Sequence, residues 1–507
     1  MLAPDYLDHA PDRLILLWQQ AEDDILRDVA RRIGKMDALT PTANWQLWRY
    51  QQTEAVRKDV VKLLARYTGK SEAEIRRLMQ EAAAAALEAE DEIYYHYGKE
   101  PTPFEESAPL QNLLNAGYRQ TAGSFSNLTA TTANTVSGAF EQALDRAWLQ
   151  VSSGTFDYKT AVKRAVDGLA DSMPYVTYPS GHRDTLEVAC RRAVLTGVNQ
   201  TGAKLQEARM DEMGASFVEV TAHGGARPSH AVWQGRHYHR DGAVDYLGQH
   251  YEDFESATGY GTGAGLCGWN CRHTFFVVFP ELGSPPAWTQ ESLEALNARN
   301  IEYNGQKYTR YEISQMQRAR ERAVRKWKRR YLAEDAAGAD TTASAVKLRQ
   351  ARQSLADFTR ATGGRVDSAR TSVHGFGRSE GSKASYAARK QERFNAANTE
   401  LQQMREAGTI KAKGRLIESP SAPNEINFAS DHVLQRWAER DMGPMDAERI
   451  IRSSKVAMSQ RNGTQTCYYS ELGFVAIGQD GNVSSIGPLD EGGKKLMEVV
   501  KKHGIPH

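Results

Sequence analysis

Apolar residues recur at three- and four-residue steps from Asp12 to Met213, with one interruption near 174–179. That spacing places them on one face of a helix, so it predicts a set of packed helices over this part of the chain. Ser71 and Glu74 are predicted to form a capping box that opens a helix through the alanine-rich run that follows them.

The pattern changes at 216–221, where the letters SFVEVT alternate and include β-branched residues. Such a segment predicts a β-strand, and it leads into a region rich in glycine and histidine that extends to Pro280. The end of the chain combines helical and strand patterns, with Asp480-Gly481 as a hairpin turn. The predicted fold class is multidomain α+β, with a mostly helical N-terminal half, a Cys/His-containing α+β middle and a small α+β C-terminal domain with an antiparallel sheet.

Length and composition bound the class of protein. A chain of 507 residues exceeds one ordinary core, so about two to four domains are expected. No apolar run reaches the roughly 20 residues that a membrane-spanning helix needs, so we expect no membrane partner. The acidic amino terminus is unlike a secretory signal, and four cysteines are too few for a disulfide framework, so we expect free or metal-bound thiols in the cytosol. A formal net charge of +1 leaves only local basic surfaces for nucleic acid.

A stretch at 363–387 is rich in Gly, Ser and Arg and has few apolar residues, a composition typical of a flexible linker. It is the clearest domain boundary in the chain. We predict a helical region at 1–215, a Gly/His/Cys-rich α+β region at 216–300, a basic and amphipathic helical region at 301–362, a flexible linker with a connecting helix at 363–400, and a small α+β domain at 401–507.

Histidine and cysteine are concentrated between residues 221 and 280. Cys267, Cys271 and His273 would supply three zinc ligands from one tight loop, with His223 or His230 as the fourth, because zinc prefers four thiolate or imidazole ligands in a tetrahedron. Two alternatives stay open. The cysteines could pack as small buried apolar groups beside histidines that fix the glycine-rich loops. A thiolate and imidazole pair could also form a hydrolase, although the sequence shows no third, orienting group.

Three separated blocks carry a resemblance to a known family: TAHGGARPSHAVWQG at 221–235, TGYGTGAGLCGWNCRH at 258–273 and YNGQKYTRYE at 303–312. In this order they resemble the phage minor capsid protein 2 family, and the resemblance covers about 1–360. It implies a virion structural protein that acts near the portal in head assembly or genome delivery, with the portal and other head proteins as partners. No catalytic residue carries over, and the matched His and Cys positions enter as fold-defining or metal-binding residues.

The segment 318–330 is strongly basic and includes Trp327. Cations on a helix neutralise phosphates and an aromatic ring can stack on a base, so packaged DNA is a candidate partner. The residues predicted to contact DNA are Arg325, Lys326, Arg329 and Arg330. The alternative is a solvated helix face or a docking surface for acidic portal loops.

The order of helices, strands and a final helix after the linker resembles the small nuclease-like domains at the ends of phage structural proteins, the barnase, EndoU, colicin and RelE-like group. Metal-free RNA cleavage needs a general base, a general acid and cations for the phosphate. On this basis RNA is the predicted substrate, and the predicted catalytic residues are His432, Arg436, Arg440, Lys455, Thr466 and Tyr468. The alternative is an inactive or purely binding domain.

The sequence therefore predicts a minor capsid protein of the virion head, synthesised in the host cytoplasm. Two rival functions are compatible with that role: a virion-delivered effector nuclease and a DNA-binding head accessory protein. Enzyme activity is expected, if anywhere, in the C-terminal domain.

Overall fold

A computed structural model of the chain describes residues 2–36, 42–172, 175–178, 182–411, 413–418, 426–428, 435, 439–440 and 442–505. The chain divides into two compact units, Met1–Glu380 (unit 1) and Gly381–His507 (unit 2), and each is described by itself. The predicted α+β class with a mostly helical N-terminal half is confirmed. Within the described ranges, no helix has the length and apolar character to cross a membrane.

Long helices build most of unit 1. They are α1 (Pro4–His9), α2 (Asp12–Gly34), α3 (Thr42–His96), α4 (Ala108–Ser152), α5 (Tyr158–Ser172), α6 (Leu186–Met213), α7 (Pro228–Ala231), α8 (Phe254–Thr258), α9 (Gln290–Asn297), α10 (Arg310–Ala336), α11 (Thr342–Thr362) and α12 (Ser368–Thr371). One continuous hydrophobic core joins α2 to α6.

The predicted capping box at Ser71 is wrong, because α3 runs through it without a break. The hydroxyl of Ser71 donates to the carbonyl of Tyr67 one turn earlier and accepts a 2.9 Å hydrogen bond from the indole of Trp18. Glu74 instead pairs with Arg77 on the same helix. Ser71 therefore satisfies a buried tryptophan of the core rather than a helix end.

Short strands form the middle of unit 1. They are β1 (Tyr175–Thr177), β2 (Arg183–Thr185), β3 (Phe217–Val220), β4 (His237–His239), β5 (Val244–Tyr246), β6 (Gln249–Asp253), β7 (Phe275–Val277), β8 (Ile301–Tyr303) and β9 (Gln306–Tyr308). Five of them make one sheet in the order β5-β6-β4-β3-β7, in which β4 and β6 are parallel and the other pairs antiparallel.

Buried polar side chains attach this sheet to the helices. Gln206 on α6 donates to the carbonyl of Phe275 at 2.8 Å, and the amide of Val277 donates to Glu90 on α3 at 3.1 Å. Because both contacts reach the backbone of β7, they fix the position of this strand, and with it the sheet, relative to α3 and α6. Such satisfied buried groups specify one arrangement more strongly than apolar packing alone.

The segment after α11 differs from the predicted flexible linker. Val373 is buried, the amide of His374 donates to Asp23 at 2.7 Å, and the carbonyl of Thr371 accepts from Lys328 at 2.5 Å. Asp367 caps α12 by accepting from two backbone amides. Composition indicated a linker because apolar residues are few, but here the order comes from hydrogen bonds to charged side chains on α2 and α10.

Unit 2 contains one antiparallel sheet whose five strands follow each other in chain order. Its strands are β10 (Arg415–Glu418), β11 (Val456–Gln460), β12 (Gln465–Ser470), β13 (Gly473–Gly478) and β14 (Val483–Gly487); its helices are the C-terminal part of α13 (Arg378–Glu406), α14 (Pro444–Ser453) and α15 (Glu491–Lys502). The predicted turn at Asp480-Gly481 joins β13 to β14.

Both faces of this sheet are covered. Side chains of α13 and α15 pack on one face with Met458 and Cys467, whereas α14 packs on the other face with Tyr468 and Val475. The core of unit 2 includes Phe394 on α13, so it begins upstream of the predicted start at residue 401.

Replacing Phe394 with Ala is expected to lower the free energy of unfolding of the 381–507 fragment by about 3 to 5 kcal/mol, because the ring leaves a cavity in the core. Tyr386→Ala is the matched control on the same helix, since Tyr386 is 63% exposed, and its effect should stay within about 0.5 kcal/mol. Chemical denaturation followed by circular dichroism measures both. Equal effects of the two substitutions would contradict the assignment of α13 to this core.

Candidate metal centre

Two of the three sequence blocks, 221–235 and 258–273, contact each other, and the second is fixed to α6. Thr221 and Thr274 exchange three hydrogen bonds of 2.9 to 3.2 Å at the edges of β3 and β7. Asn199, fully buried on α6, donates from Nδ2 to the carbonyls of Cys271 at 3.1 Å and His273 at 3.0 Å. The backbone that carries Cys271 and His273 is therefore held from both sides.

Glycines let the second block fold tightly. A Cβ on Gly265 would lie 1.9 Å from the carbonyl oxygen of Gly259, and one on Gly268 would lie 2.5 Å from that of Gly263. A side chain at either position would collide with backbone, so the loop needs glycine there. This close approach brings Cys271 back beneath α7, which carries His230.

Three ligand atoms converge at this point. Nδ1 of His230 lies 3.4 Å from Nδ1 of His273, and Sγ of Cys271 lies 3.7 Å and 3.6 Å from the same two nitrogens. A tetrahedral zinc with ordinary bond lengths would place two nitrogens roughly 3.4 Å apart and a sulfur roughly 3.6 Å from each. The triangle thus has the dimensions of one face of a zinc tetrahedron, and these three residues could hold a metal ion.

The second nitrogen of each ring decides its tautomer. Nε2 of His230 lies 2.9 Å from the carbonyl oxygen of Ala264, and Nε2 of His273 lies 3.0 Å from Oε1 of Gln234. Oε1 of Gln234 also accepts from the amide of His223, so it is an acceptor. Both Nε2 atoms therefore carry the proton, and both Nδ1 atoms present lone pairs to the centre.

Burial keeps the two rings neutral. It lowers the pKa of His230 to about 4 and the pKa of His273 well below its ordinary value. Two unprotonated nitrogens then face each other, and the single thiol proton of Cys271 can satisfy one of them at most. A cation bound between the three atoms satisfies all of them.

The other two predicted ligands lie beside the triangle. Sγ of Cys267 is 3.6 Å from the carbonyl oxygen of His273, and the backbone of Cys267 has a positive φ of 58°. The ring of His223 lies against His273 with centroids 4.4 Å apart, and its Nδ1 accepts from the amide of Gly225. His223 is thus engaged elsewhere, and a fourth ligand to a metal ion at the triangle would come either from Cys267 or from the cavity that the triangle lines.

The structure supplies a residue that could orient the histidine of a thiol hydrolase, but the cysteine is too buried to serve as its nucleophile. Gln234 contacts Nε2 of His273, the position that the orienting residue of a catalytic triad would occupy. Gln234 is one residue of a matched block and was not singled out from the sequence. However, Cys271 is 2% exposed and burial raises the pKa of its thiol, which opposes the thiolate that a nucleophile needs. The arrangement fits metal binding better.

Comparison with known proteins now identifies the class of protein. The family model described as Phage minor capsid protein 2 matches residues 2–360. The chain belongs to this family. As a minor capsid protein it is a phage structural protein and hence a component of the virion.

A curated relative from Lactococcus phage LL-H, described as "Structural protein", is 27% identical over 244 residues. The alignment covers 45% of this chain and 61% of that relative, so the chain spans less than two thirds of the relative's length. No solved structure matches this minor capsid protein.

The basic helix of the minor capsid protein is arranged differently from the predicted DNA contact. Its four predicted cations are paired with carboxylates of unit 1: Arg325 with Glu187, Lys326 with Asp171 at 3.0 Å, Arg329 with Glu22 at 2.5 Å and Asp23 at 2.7 Å, and Arg330 with Asp167 at 2.5 Å. Glu22 is fully buried. These ion pairs therefore join α10 to α2, α5 and α6. Neither the DNA-contact nor the surface-docking interpretation of the sequence described such an arrangement.

The predicted nuclease residues are only partly placed. His432 and Arg436 lie outside the described residues. Arg440 donates to the carbonyl of Ile486, Lys455 is exposed after α14, and Thr466 is partly exposed on β12. Tyr468 is 2% exposed in the core beneath α14, so its side chain packs rather than faces an open site.

We propose that the triangle of His230, Cys271 and His273 holds zinc, and we expect about one zinc per purified chain. Cys271→Ala should abolish stoichiometric zinc and lower the melting temperature, because a structural ion contributes directly to folding. Cys190→Ala is the matched control: Cys190 is fully buried on α6, and the variant should keep its zinc. Elemental analysis and thermal unfolding of the full chain measure both properties.

A third variant assigns the fourth ligand. Loss of zinc in Cys267→Ser would identify Cys267, whereas retention would place the fourth ligand on the cavity side. Absence of zinc from wild-type protein expressed with added metal would leave the packed-thiol interpretation.

Proposed function

We propose that this protein is a structural component of the phage head that acts beside the portal in head assembly or genome delivery. The observation that carries the proposal is family membership over residues 2–360, which span nearly all of unit 1. The relative described as a structural protein supports the same class of role. A DNA-binding accessory role has less support, because the four cations predicted for it are paired inside unit 1.

The zinc that we propose would stabilise the fold of the central region and would not take part in catalysis. The strands of the central sheet are three to five residues long, at the short end of the usual range. An ion held by His230 on α7 and by Cys271 and His273 before β7 would join the two blocks that frame the sheet. Burial of all three ligands suits a structural ion.

We expect purified heads to contain this protein at far fewer copies than the major capsid protein, because a portal-proximal component is limited by the single portal vertex. Quantitative mass spectrometry of heads, with chemical cross-linking, measures copy number and neighbours together. Cross-links from unit 1 to the portal protein are the expected result. A copy number equal to that of the major capsid protein, or absence from heads, would contradict the proposed position.

A second candidate function concerns unit 2. This unit lies beyond the family match, which ends at residue 360, and it has its own core on both faces of its sheet. We propose that it is a separately folded domain with metal-independent ribonuclease activity, carried with the particle. Part of the proposed site, His432 and Arg436, lies outside the described residues, so the support comes from domain organisation and from the resemblance.

The 381–507 fragment should therefore cut RNA in the presence of chelator, and His432→Ala should slow it by roughly 10²- to 10⁴-fold through loss of a general acid or base. Lys494→Ala is the matched control, because Lys494 is exposed on α15 and pairs with Glu491 one turn earlier on the same helix. A gel assay on a broad RNA pool measures the rates. An intact RNA pool with the folded wild-type fragment would leave a binding role for the unit.

A further inference from the structure

Unit 1 contains a cavity of roughly 650 Å³ beside the metal centre. Its wall includes residues of α6, α10 and α12 and of the loops that carry His230 and Cys271. Nine arginine and lysine residues line it against four aspartate and glutamate residues. The volume falls in the range of small-molecule sites, about 300 to 1,000 Å³, and the charge imbalance indicates an anionic occupant.

The carboxylates of the wall are already engaged. Each binds a nearby side chain: Asp8 with Arg272 at 2.9 Å, Asp171 with Lys326 at 3.0 Å, Glu187 with Arg325, and Glu321 with Gln317 at 2.8 Å. Three of the wall cations, Arg272, Lys326 and Arg325, are therefore paired with carboxylates of the wall itself. Three more pair with carboxylates outside it: Arg191 with Asp12, Arg329 with Asp23 and Arg370 with Asp367. Among the described residues, the positive charge without an ion pair stays on Arg227, Arg318 and Arg322.

Two of these arginines are distinguished by their contacts in the described part of the chain. Arg318 and Arg322 are four residues apart on α10, so they lie on one helix face, and both line the cavity. Within the part of the chain that the structure describes, neither forms an ion pair or a side-chain hydrogen bond. The cations that the sequence suggested for DNA, from Arg325 to Arg330, are paired, whereas these two, which lie one to two turns earlier on the same helix, are not.

The surroundings of Arg318 make its charge costly. Burial, followed by the nearby charges of Arg272 and Arg370, lowers the pKa of Arg318 to about 10, and Asp8 opposes this only in part. Arg318 is thus a half-buried cation that nearby cations repel and that has no ion-pair partner among the described residues, an arrangement that destabilises the unit. Such unfavourable arrangements concentrate at binding sites, where a ligand supplies the missing opposite charge.

We propose that this cavity binds a phosphate group, contacted by Arg318 and Arg322. Arginine forks bind phosphate oxygens in pairs, and a phosphate carries enough negative charge to offset more than one guanidinium. The cavity is too small for a duplex, so the group comes either from free phosphate or a nucleotide, or from the end of a nucleic-acid strand. The inference is independent of the portal role.

The test uses the full zinc-replete chain at low salt. Isothermal titration calorimetry is carried out with inorganic phosphate, with 5′-phosphorylated oligothymidylate, with its 5′-hydroxyl counterpart and with a polyglutamate peptide. Arg318→Gln/Arg322→Gln is compared with Arg13→Gln/Arg360→Gln, which removes the same charge at side chains that are 73% and 76% exposed.

The cavity variant should bind phosphate roughly tenfold to a hundredfold more weakly, as expected for lost charged hydrogen bonds, whereas the control should match wild type. Without ligand, Arg318→Gln should keep or raise the melting temperature, because it removes a repelled cation; a purely structural arginine would lower it. Binding of inorganic phosphate assigns the free ligand, and binding restricted to the phosphorylated oligonucleotide assigns a strand end.

Two results would overturn the proposal. One is the absence of any phosphate-dependent heat or thermal shift in the wild-type chain. The other is binding of polyglutamate alone, which would make the cavity a dock for an acidic protein segment.

Discussion

The central region depends on two imidazole nitrogens that face each other 3.4 Å apart. The thiol sulfur of Cys271 lies 3.6 to 3.7 Å from both. Each ring is fixed by its second nitrogen, so neither can turn its proton inward. The loops that carry them contain many glycines, whose flexible backbone is costly to order. The proposed zinc would relieve the opposed lone pairs in a segment that Asn199 already holds to α6.

The cations of α10 fall into two groups, those paired with carboxylates of neighbouring helices and those without such a partner among the described residues. On α10, Arg329 contacts the buried Glu22 on α2 and Arg325 contacts Glu187 on α6, so these two cations hold the helix in place. Arg318 and Arg322, one to two turns earlier, have no such partners among the described residues, although all four line the same cavity. A run of cations in a sequence therefore does not distinguish a nucleic-acid surface from an internal network, since both need the same letters.

Periodicity predicted the helical N-terminal half, the strand at 216–221 and the hairpin at Asp480-Gly481, because these features depend on local spacing. The order of residues 363–377 was missed, since it depends on hydrogen bonds to Asp23 and Lys328, which are distant in sequence. The matched blocks named His230, Cys271 and His273, but spacing could not separate them from His223, which tertiary contacts direct elsewhere. Asn199 and Gln234 were also invisible as site residues, because a lone amide gives no sequence signal.

The zinc that we propose would be bound by two family blocks of this phage minor capsid protein. X-ray absorption at the zinc edge of the purified full chain identifies the ligand atoms themselves. We expect two nitrogen neighbours at roughly 2.0 to 2.1 Å and at least one sulfur at roughly 2.3 Å. A zinc shell made of oxygen alone, or a spectrum without sulfur, would contradict the proposed site.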